Sequence, residues 1–265
     1  MQMTEDIIQE VIHISKKAGD AIMDVYRTDY DIQLKADFSP VTKADKNANT
    51  IIESGLQGID NTIPILSEEG RDIAYNERKK WERFWLVDPL DGTKDFIKKN
   101  DEFTVNIALI EDKVPIFGVV YAPATDLLFW GSYNNGAWKK EAHNPVEIMR
   151  VAAKVDNTVQ IAASRSHPSD KMTTFLKQFN KYEFHPIGSS LKICLVSDGS
   201  VHLYPRLGPT MEWDTAAAHA VLKSAGGEIV QYGTESPLQY NKKELINPQF
   251  IAGNLSLISG LETCN

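Results

Sequence analysis

Four acidic residues stand where chemistry could begin: Glu68, Asp88, Asp91 and Asp214. Glu68 follows the apolar Ile65-Leu66. Asp88 and Asp91 fall inside Asp88-Pro89-Leu90-Asp91-Gly92-Thr93, and Asp214 inside Glu212-Trp213-Asp214-Thr215. Each lies where the pattern ends a strand or begins a helix. Carboxylates at strand ends point into the crevice where open α/β sheets keep their ligands. Hard oxygen donors without histidine or cysteine beside them suit magnesium rather than zinc.

Within the Asp88 to Thr93 stretch, Pro89 fixes φ and removes a donor, so a sharp turn is expected after Asp88. The turn would set Asp88 and Asp91 on one concave side with the Leu90 carbonyl between them, a cradle for a metal. Gly92 permits close backbone approach. Thr93 can cap a short helix over Lys94 to Lys98, leaving amides that face an anion. Each piece alone has a plain structural alternative. Asp91-Gly92 can close an ordinary loop, and Glu68-Glu69 can be a solvated pair. Asp214 can be the N-cap of a helix over Thr215 to Ala225 that Gly226-Gly227 stops.

The surrounding elements follow from periodicity. Ile7, Val11, Ile14, Ala18, Ile22 and Val25 recur at helical spacing between charged residues. Asp37-Phe38-Ser39-Pro40 reads as a turn, and a second helix runs from about Ala44 to Leu56 with Asp45 in its first turn. Ile63 to Leu66 is a short strand, and Arg71 to Glu82 is polar and reads as a mobile loop. Phe84 to Val87 is a strand that stops at Asp88-Pro89. Strands follow over Phe103 to Ile110, Val114 to Tyr121 and Leu127 to Gly131, and Asn135-Gly136 marks a hairpin. Beyond residue 152 the pattern alternates. Strands are expected over Thr158 to Ala163, Val201 to Tyr204 and Glu228 to Val230. Helices are expected over Ser169 to Phe179, Ser190 to Val196 and Thr215 to Ala225. An α+β half, residues 1–152, is thus expected to precede an α/β half, residues 153–265. No Pro/Gly/Ser linker marks the boundary.

The bulk numbers are those of a globular protein: 265 residues, 42% hydrophobic and 24% charged. The net charge of −8 argues against a general nucleic-acid binder, which needs a basic footprint. It leaves room for an anionic small molecule, because bound cations reverse the sign of an acidic pocket. The two cysteines, Cys194 and Cys264, form no CxxC pair or metal-finger spacing, which points to a reducing compartment. Cys194 lies in the apolar Ile193-Cys194-Leu195-Val196 and is expected to be buried and inert. The acidic start, Met1 to Asp6, has no apolar signal core, and no apolar run nears the roughly 20 residues that span a bilayer. The expectation is a cytoplasmic protein.

Taken together, the pieces are more specific than any alone. The chain resembles the lithium-sensitive, magnesium-dependent phosphatases of the inositol monophosphatase superfamily. Their signature runs Asp, Glu-Glu, Asp-Pro-(Ile/Leu)-Asp-Gly-Thr, then Trp-Asp, eleven residues and Gly-Gly. Asp45, Glu68-Glu69, Asp88 to Thr93, Trp213-Asp214 and Gly226-Gly227 match it in order and spacing over nearly the whole chain. Ser39 to Asp45, Trp85 to Phe96, Ser164-Arg165-Ser166-His167, Gly188 to Lys192 and Tyr204-Pro205-Arg206 are similar to the CysQ-type branch, the 3'(2'),5'-bisphosphate nucleotidases. Inositol monophosphatases commonly carry Thr-Asn or a similar pair after Asp-Gly-Thr; this chain has Lys94-Asp95.

The resemblance implies a layered αβαβα sandwich and two or three Mg2+ per active site. Glu68, Asp88 and the Leu90 carbonyl would hold one cation; Asp88, Asp91 and Asp214 would hold a second. Thr93 and either Glu68 or Asp45 would orient an attacking water and accept its proton, without a covalent phosphoenzyme. The substrate would be a small phosphate ester, adenosine 3',5'-bisphosphate, with its sulfated analogue as a further substrate, in sulfur assimilation. The Gly92 and Thr93 amides would contact the departing phosphate, and Lys94 is a further substrate-binding candidate that favours the nucleotide. Arg165, Lys192 and Arg206, with Ser189 and Ser190, are candidate anchors for the remote phosphate; a surface ion pair is the alternative for each arginine. His167 reads as a loop histidine and Trp213 as packing behind Asp214. The alternatives are inositol monophosphatase or fructose-1,6-bisphosphatase activity on the same scaffold, and a non-catalytic ligand-binding protein that kept the fold. A monomer or homodimer is expected, with no nucleic-acid partner and no integral membrane segment; attachment to the inner face of the bacterial membrane is a further alternative to free solution.

Overall fold

The computed structural model describes residues 2–27, 32–34, 40–164 and 170–261. The first half begins with helix α1 (Glu5–Tyr26), a small antiparallel pair β1 (Ile32–Leu34) and β2 (Pro40–Thr42), and helix α2 (Lys43–Ile59). Strand β3 (Ile65–Ser67), the helical turn α3 (Tyr75–Arg78), β4 (Arg83–Asp91) and the short helix α4 (Thr93–Ile97) follow. Then come β5 (Thr104–Glu111), β6 (Val114–Ala122), β7 (Leu127–Ser132), β8 (Gly136–Glu141) and β9 (Glu147–Ile148). The second half contains β10 (Val159–Ala163), α5 (Asp170–Leu176), β11 (Tyr182–Pro186), α6 (Leu191–Ser197), β12 (Leu203–Arg206), α7 (Trp213–Ser224), β13 (Glu228–Gln231), β14 (Phe250–Gly253) and α8 (Leu255–Ile258).

The strands form two larger sheets. One has seven strands in the order β3-β4-β5-β6-β7-β8-β9, antiparallel except for the parallel β3–β4 pair. The other has five in the order β11-β10-β12-β14-β13. Side chains alternate across each sheet, and the central strands are buried on both faces while the edge strands β9 and β11 are largely exposed. In β4, Trp85 and Val87 face α1 and α2, in one core with Val105, Ile107, Leu109, Phe117 and Val119. Phe84 and Leu86 face the other way, into a core shared with α6, α7 and the inner face of the five-stranded sheet, where Tyr204, Ile229, Phe250 and Ala252 lie. A third core sets Ile161, Leu203, Val230 and Ile251 against Phe175 of α5 and Ile258 of α8. Three apolar seams between five layers make the αβαβα sandwich.

The middle helix α7 sits unusually close to the first sheet. It is buried nearly all round, with Ala216, Ala217, Ala218 and Ala220 among its buried residues, and it meets the sheet through Ala217, Val221 and Ser224. It lies over Gly118 and Gly131, which are paired across β6 and β7. A Cβ built on Gly118 would collide with the Ala217 carbonyl, and one on Gly131 would lie 2.9 Å from Val221 Cα. Small residues on both sides thus set the height of α7 above the sheet.

Several sequence expectations need correction. The apolar run of β4 does not stop at Asp88-Pro89; the strand continues to Asp91 through an irregularity described below. Arg71 to Glu82 is not simply a loop. It holds α3, whose Arg78 is buried and donates to Asn241 Oδ1 and to the Lys242 and Lys243 carbonyls, partners more than 160 residues away that local periodicity cannot reveal. Strands β11 and β14 were not expected, because their apolar content is short and their pairing is long-range. The Asp37 to Pro40 turn falls partly outside the described residues.

The alanine–glycine seam yields a direct prediction. Gly118→Ala should destabilise the fold by about 1–3 kcal/mol through overpacking, read as a lower thermal unfolding midpoint. An unchanged midpoint would show that α7 can lift off the sheet freely.

Candidate metal and phosphate site

The site begins with a parity problem. Asp88 and Asp91 are three residues apart, so a regular strand would point them to opposite faces. Asp88 pairs with Asn106 and Asp91 with Thr104, three steps on β4 against two on β5. The extra residue is a β-bulge, which re-aims side chains where it occurs. Both carboxylates consequently line one pocket of about 670 Å³. Asp88 Oδ1 accepts from the Leu90 amide at 3.1 Å, and Thr93 Oγ1 donates to the Leu90 carbonyl at 3.4 Å. Thr93 is therefore the first residue of α4 rather than its cap. The cap position falls to Gly92, at φ 91°, where a Cβ would stand 3.0 Å from the Glu102 carbonyl.

Asp88 is joined by two carboxylates from other elements. Glu68 follows β3 and is set by its amide bonding to the Val87 carbonyl at 3.1 Å. Asp214 lies in the first turn of α7 and accepts from the Met211 amide at 2.9 Å. It is not the N-cap, a position taken by Glu212. Ligand atoms of Glu68, Asp88 and Asp214 all lie within 4.8 Å of one another. Burial, followed by repulsion from Glu68, Asp91, Asp214 and Asp45, holds the Asp88 carboxyl well above the usual carboxylate range. Burial and Asp91 push Asp214 up to about 8. Burial raises Asp91 to about 6, opposed by Lys192 and by the Ser190 amide. Asp45 is buried in the first turn of α2, close enough to be felt by Asp88. The oxygen-only donor set fits a hard divalent cation.

A wall of donors faces this acidic floor. Ser190, Thr104 and Asn106 close a ring: Ser190 Oγ donates to Asn106 Oδ1 at 2.7 Å, Thr104 Oγ1 to Ser190 Oγ at 2.8 Å, and Asn106 Nδ2 to Thr104 Oγ1 at 3.3 Å. The Ser190 amide donates to Asp91 Oδ2 at 2.6 Å. Ser189 adopts φ 44°, and its hydroxyl lies 3.3 Å from Thr104 Oγ1. The Lys192 ammonium is buried; burial pushes it down to about 8 against the pull of Asp91. Arg206 Nη2 donates to the Pro209 carbonyl at 2.7 Å, while its Nε is buried without a hydrogen-bond partner. Lys94 and Lys98 stand exposed at the rim.

The pocket thus gathers Glu68, Asp88, Leu90, Asp91, Gly92, Thr93, Lys94, Ser189, Ser190, Lys192, Arg206 and Asp214. Arg165 and His167 lie outside the described residues. Cys194 is buried and its thiol pushed up by burial. Trp213 packs partly buried against the central core. Sequence reasoning missed Thr104 and Asn106, although a polar pair inside the apolar Phe103 to Ile110 run was a visible signal. It also missed Asp95, Asn100 and Glu102, which line the pocket with nothing local to mark them.

This fold and this site define a class, and comparison with known sequences assigns it: the chain belongs to the inositol monophosphatase family, matched over residues 3–259. Within it, the chain is 44% identical over 247 residues to the Salmonella typhimurium 3'(2'),5'-bisphosphate nucleotidase CysQ, covering 92% of this chain and 98% of that one. A crystal structure of CysQ from Bacteroides thetaiotaomicron superposes with a TM-score of 0.84 at 39% identity, covering 96% of this chain and 98% of that one. The Thermotoga maritima IMPase shares the fold, with a TM-score of 0.75 at 23% identity, covering 96% of this chain and 94% of that one.

The raised carboxyls set a pH dependence. Asp91 and Asp214 move from 3.8 to about 6 and about 8, so the folded state binds protons that the unfolded chain has already released. Without divalent cation, stability should fall as pH climbs from about 4 to about 8. Added Mg2+ should then raise the melting temperature more at the alkaline end of that window. Thermal scans with and without chelator test this; an Mg2+ effect that shrinks with rising pH would contradict it.

Proposed function

We propose that this chain is a magnesium-dependent phosphomonoesterase that removes the 3'-phosphate of adenosine 3',5'-bisphosphate. The observation that carries the reading is the opposition across one pocket of the floor made by Glu68, Asp88 and Asp214, all within 4.8 Å, and a wall carrying Lys192 and Arg206. Such a pocket takes a ligand that is anionic at one end and reaches toward cations at the other. The names of the CysQ relatives support the nucleotide as that ligand.

Glu68, Asp88, Asp91, Asp214 and the Leu90 carbonyl would hold magnesium, two or three ions per site. Bound, these ions neutralise phosphate charge and make water more acidic. The remaining work belongs to the chain. The amides of Gly92 and Thr93 face the departing phosphate. Thr93 Oγ1, already poised on the Leu90 carbonyl at 3.4 Å, orients the attacking water. Glu68 or Asp45 accepts its proton. The new P–O bond forms in line with the breaking one, and the nucleoside 3'-oxygen leaves and takes up a proton. Arg206, with its unspent Nε, and Lys192 anchor the 5'-phosphate, joined by Arg165. Ser189 and Ser190 shape that wall, and Lys94 guards the rim. Residues 1–152 supply most of the metal-binding carboxylates and residues 153–265 supply Asp214 and the anchors. No helix among the described residues is long and apolar enough to cross a membrane; we assign the chain to the cytoplasm, as monomer or homodimer.

Phosphate release from adenosine 3',5'-bisphosphate and from inositol 1-phosphate, each with Mg2+, tests the assignment. The nucleotide should be the better substrate by kcat/KM. Asp91→Asn should lower kcat by at least ~100-fold, beyond what loss of a supporting residue costs. A preference for inositol phosphate would reassign the substrate, and full activity of Asp91→Asn would remove the metal role of that carboxylate.

A further inference from the structure

Asp214 lies on a turn held partly by local bonds, such as Thr215 Oγ1 donating to the Glu212 carbonyl at 3.1 Å, and partly from outside. The N-cap of α7, Glu212, has helical backbone angles and makes no side-chain capping bond. Its buried carboxylate turns away to accept from the Asn241 and Lys242 amides at 2.6 and 2.9 Å and from Lys242 Nζ at 2.6 Å. The outside support comes from residues 245–247. Glu212 N donates to the Leu245 carbonyl at 2.9 Å, and Asn247 N to the Thr210 carbonyl at 2.8 Å. Between these bonds, Met211 and Ile246 form a bridge.

The Asn247 side chain, 5% exposed, reaches both sides of Asp214. Its Nδ2 donates to the Met211 carbonyl at 2.8 Å and to Thr215 Oγ1 at 3.0 Å. Met211 is the residue whose amide holds Asp214 Oδ2, and Thr215 is the next residue in the helix. Asn247 Oδ1 in turn accepts from Lys242 Nζ at 3.2 Å. Thr215 is also within 3.3 Å of Tyr240 OH, which meets His219 Nδ1 at 2.9 Å. His219 Nε2 is hydrogen-bonded to Glu228. The same loop is fastened to the segment that follows Glu68, because Arg78 of α3 holds Asn241 Oδ1 at 2.9 Å and the Lys243 carbonyl at 2.7 Å. One loop, anchored at its buried ends Asn241 and Asn247, thus ties the turn that carries Asp214 to Arg78 of α3.

We propose that Asn247 is a positioning residue of the metal centre, fixing the 210–215 turn from which Asp214 reaches Glu68 and Asp88. This rests on the metal-dependent reading above. Asn247 does not line the pocket, so its effect falls on the cation rather than on substrate.

The test measures the metal alone. Mn2+ binding to the full chain is followed by the electron-spin signal of free Mn2+, and Mg2+ binding by calorimetry. Asn247→Ala should weaken both by about 10–100-fold, as loss of a residue supporting a ligand does. At saturating metal, KM for adenosine 3',5'-bisphosphate should stay within about twofold, since uniform substrate binding is untouched. Phe175→Leu, in the outer α5 layer, should lower the melting temperature without changing metal affinity. Should Asn247→Ala not fold, Asn247→Leu keeps the volume while removing the Nδ2 donor to the Met211 carbonyl and Thr215, and should weaken Mn2+ binding in the same direction. A folded Asn247→Ala that binds Mn2+ as tightly as wild type, with only its melting temperature lowered, overturns the proposal. A wild-type chain that binds no Mn2+ overturns the metal-dependent reading itself, a different and separable result.

Discussion

Mutual repulsion would drive Glu68, Asp88 and Asp214 apart if the elements that carry them could yield. Two unit charges 4.8 Å apart repel by about 3–4 kcal/mol at an effective dielectric of about 20. Three such pairs approach the net stability of an ordinary domain, about 5–15 kcal/mol. The scaffold cannot relax to relieve this. Strand β4 is buried on both faces, β3 is pinned beside it, and α7 is wedged between two sheets. The charge must be met in place, by protons or by cations, and the raised carboxyls of Asp88 and Asp214 express that demand.

The wedge itself comes from residue size. Gly118 under Ala217, and Gly131 under Val221 and Ser224, bring the α7 backbone close to the sheet, so the helix has little slack in height. Packing at this density transmits displacement rather than absorbing it. A helix start so placed delivers Asp214 to within 4.8 Å of Glu68 and Asp88. The second half of the chain thereby completes a site whose floor belongs to the first.

Much of this was legible in the residues. The Asp88 to Thr93 stretch, Glu68 and Asp214 stood out by type and spacing, and the helical stripes of α1 and α2 and the strands β5 to β7 followed from periodicity. What stayed hidden shares one cause: partners distant in sequence. Nothing near Arg78 announces three acceptors beyond residue 240, and Asn247 looks like any loop asparagine until Met211 and Thr215 lie beside it. Pro89 was read as the end of a strand because its missing donor disfavours a ladder. The bulge accommodates it, and pairing resumes at Asp91. Asp214 was open to reading as a cap because position alone cannot tell a capping carboxylate from one aimed elsewhere.

The bulge also bears on which length changes this lineage can accept. Surface turns such as the one between β7 and β8 can gain or lose a residue with local effect. Between Asp88 and Asp91, removing one residue would restore an ordinary two-against-two ladder: the carboxylates would keep a common face, but the turned backbone that brings the Leu90 amide to Asp88 and the Leu90 carbonyl to Thr93 would be straightened. Pro89 and Leu90 are themselves buried, Leu90 in the core beneath α1 and α2, so this stretch is held to its side-chain volume as well as to its irregular backbone.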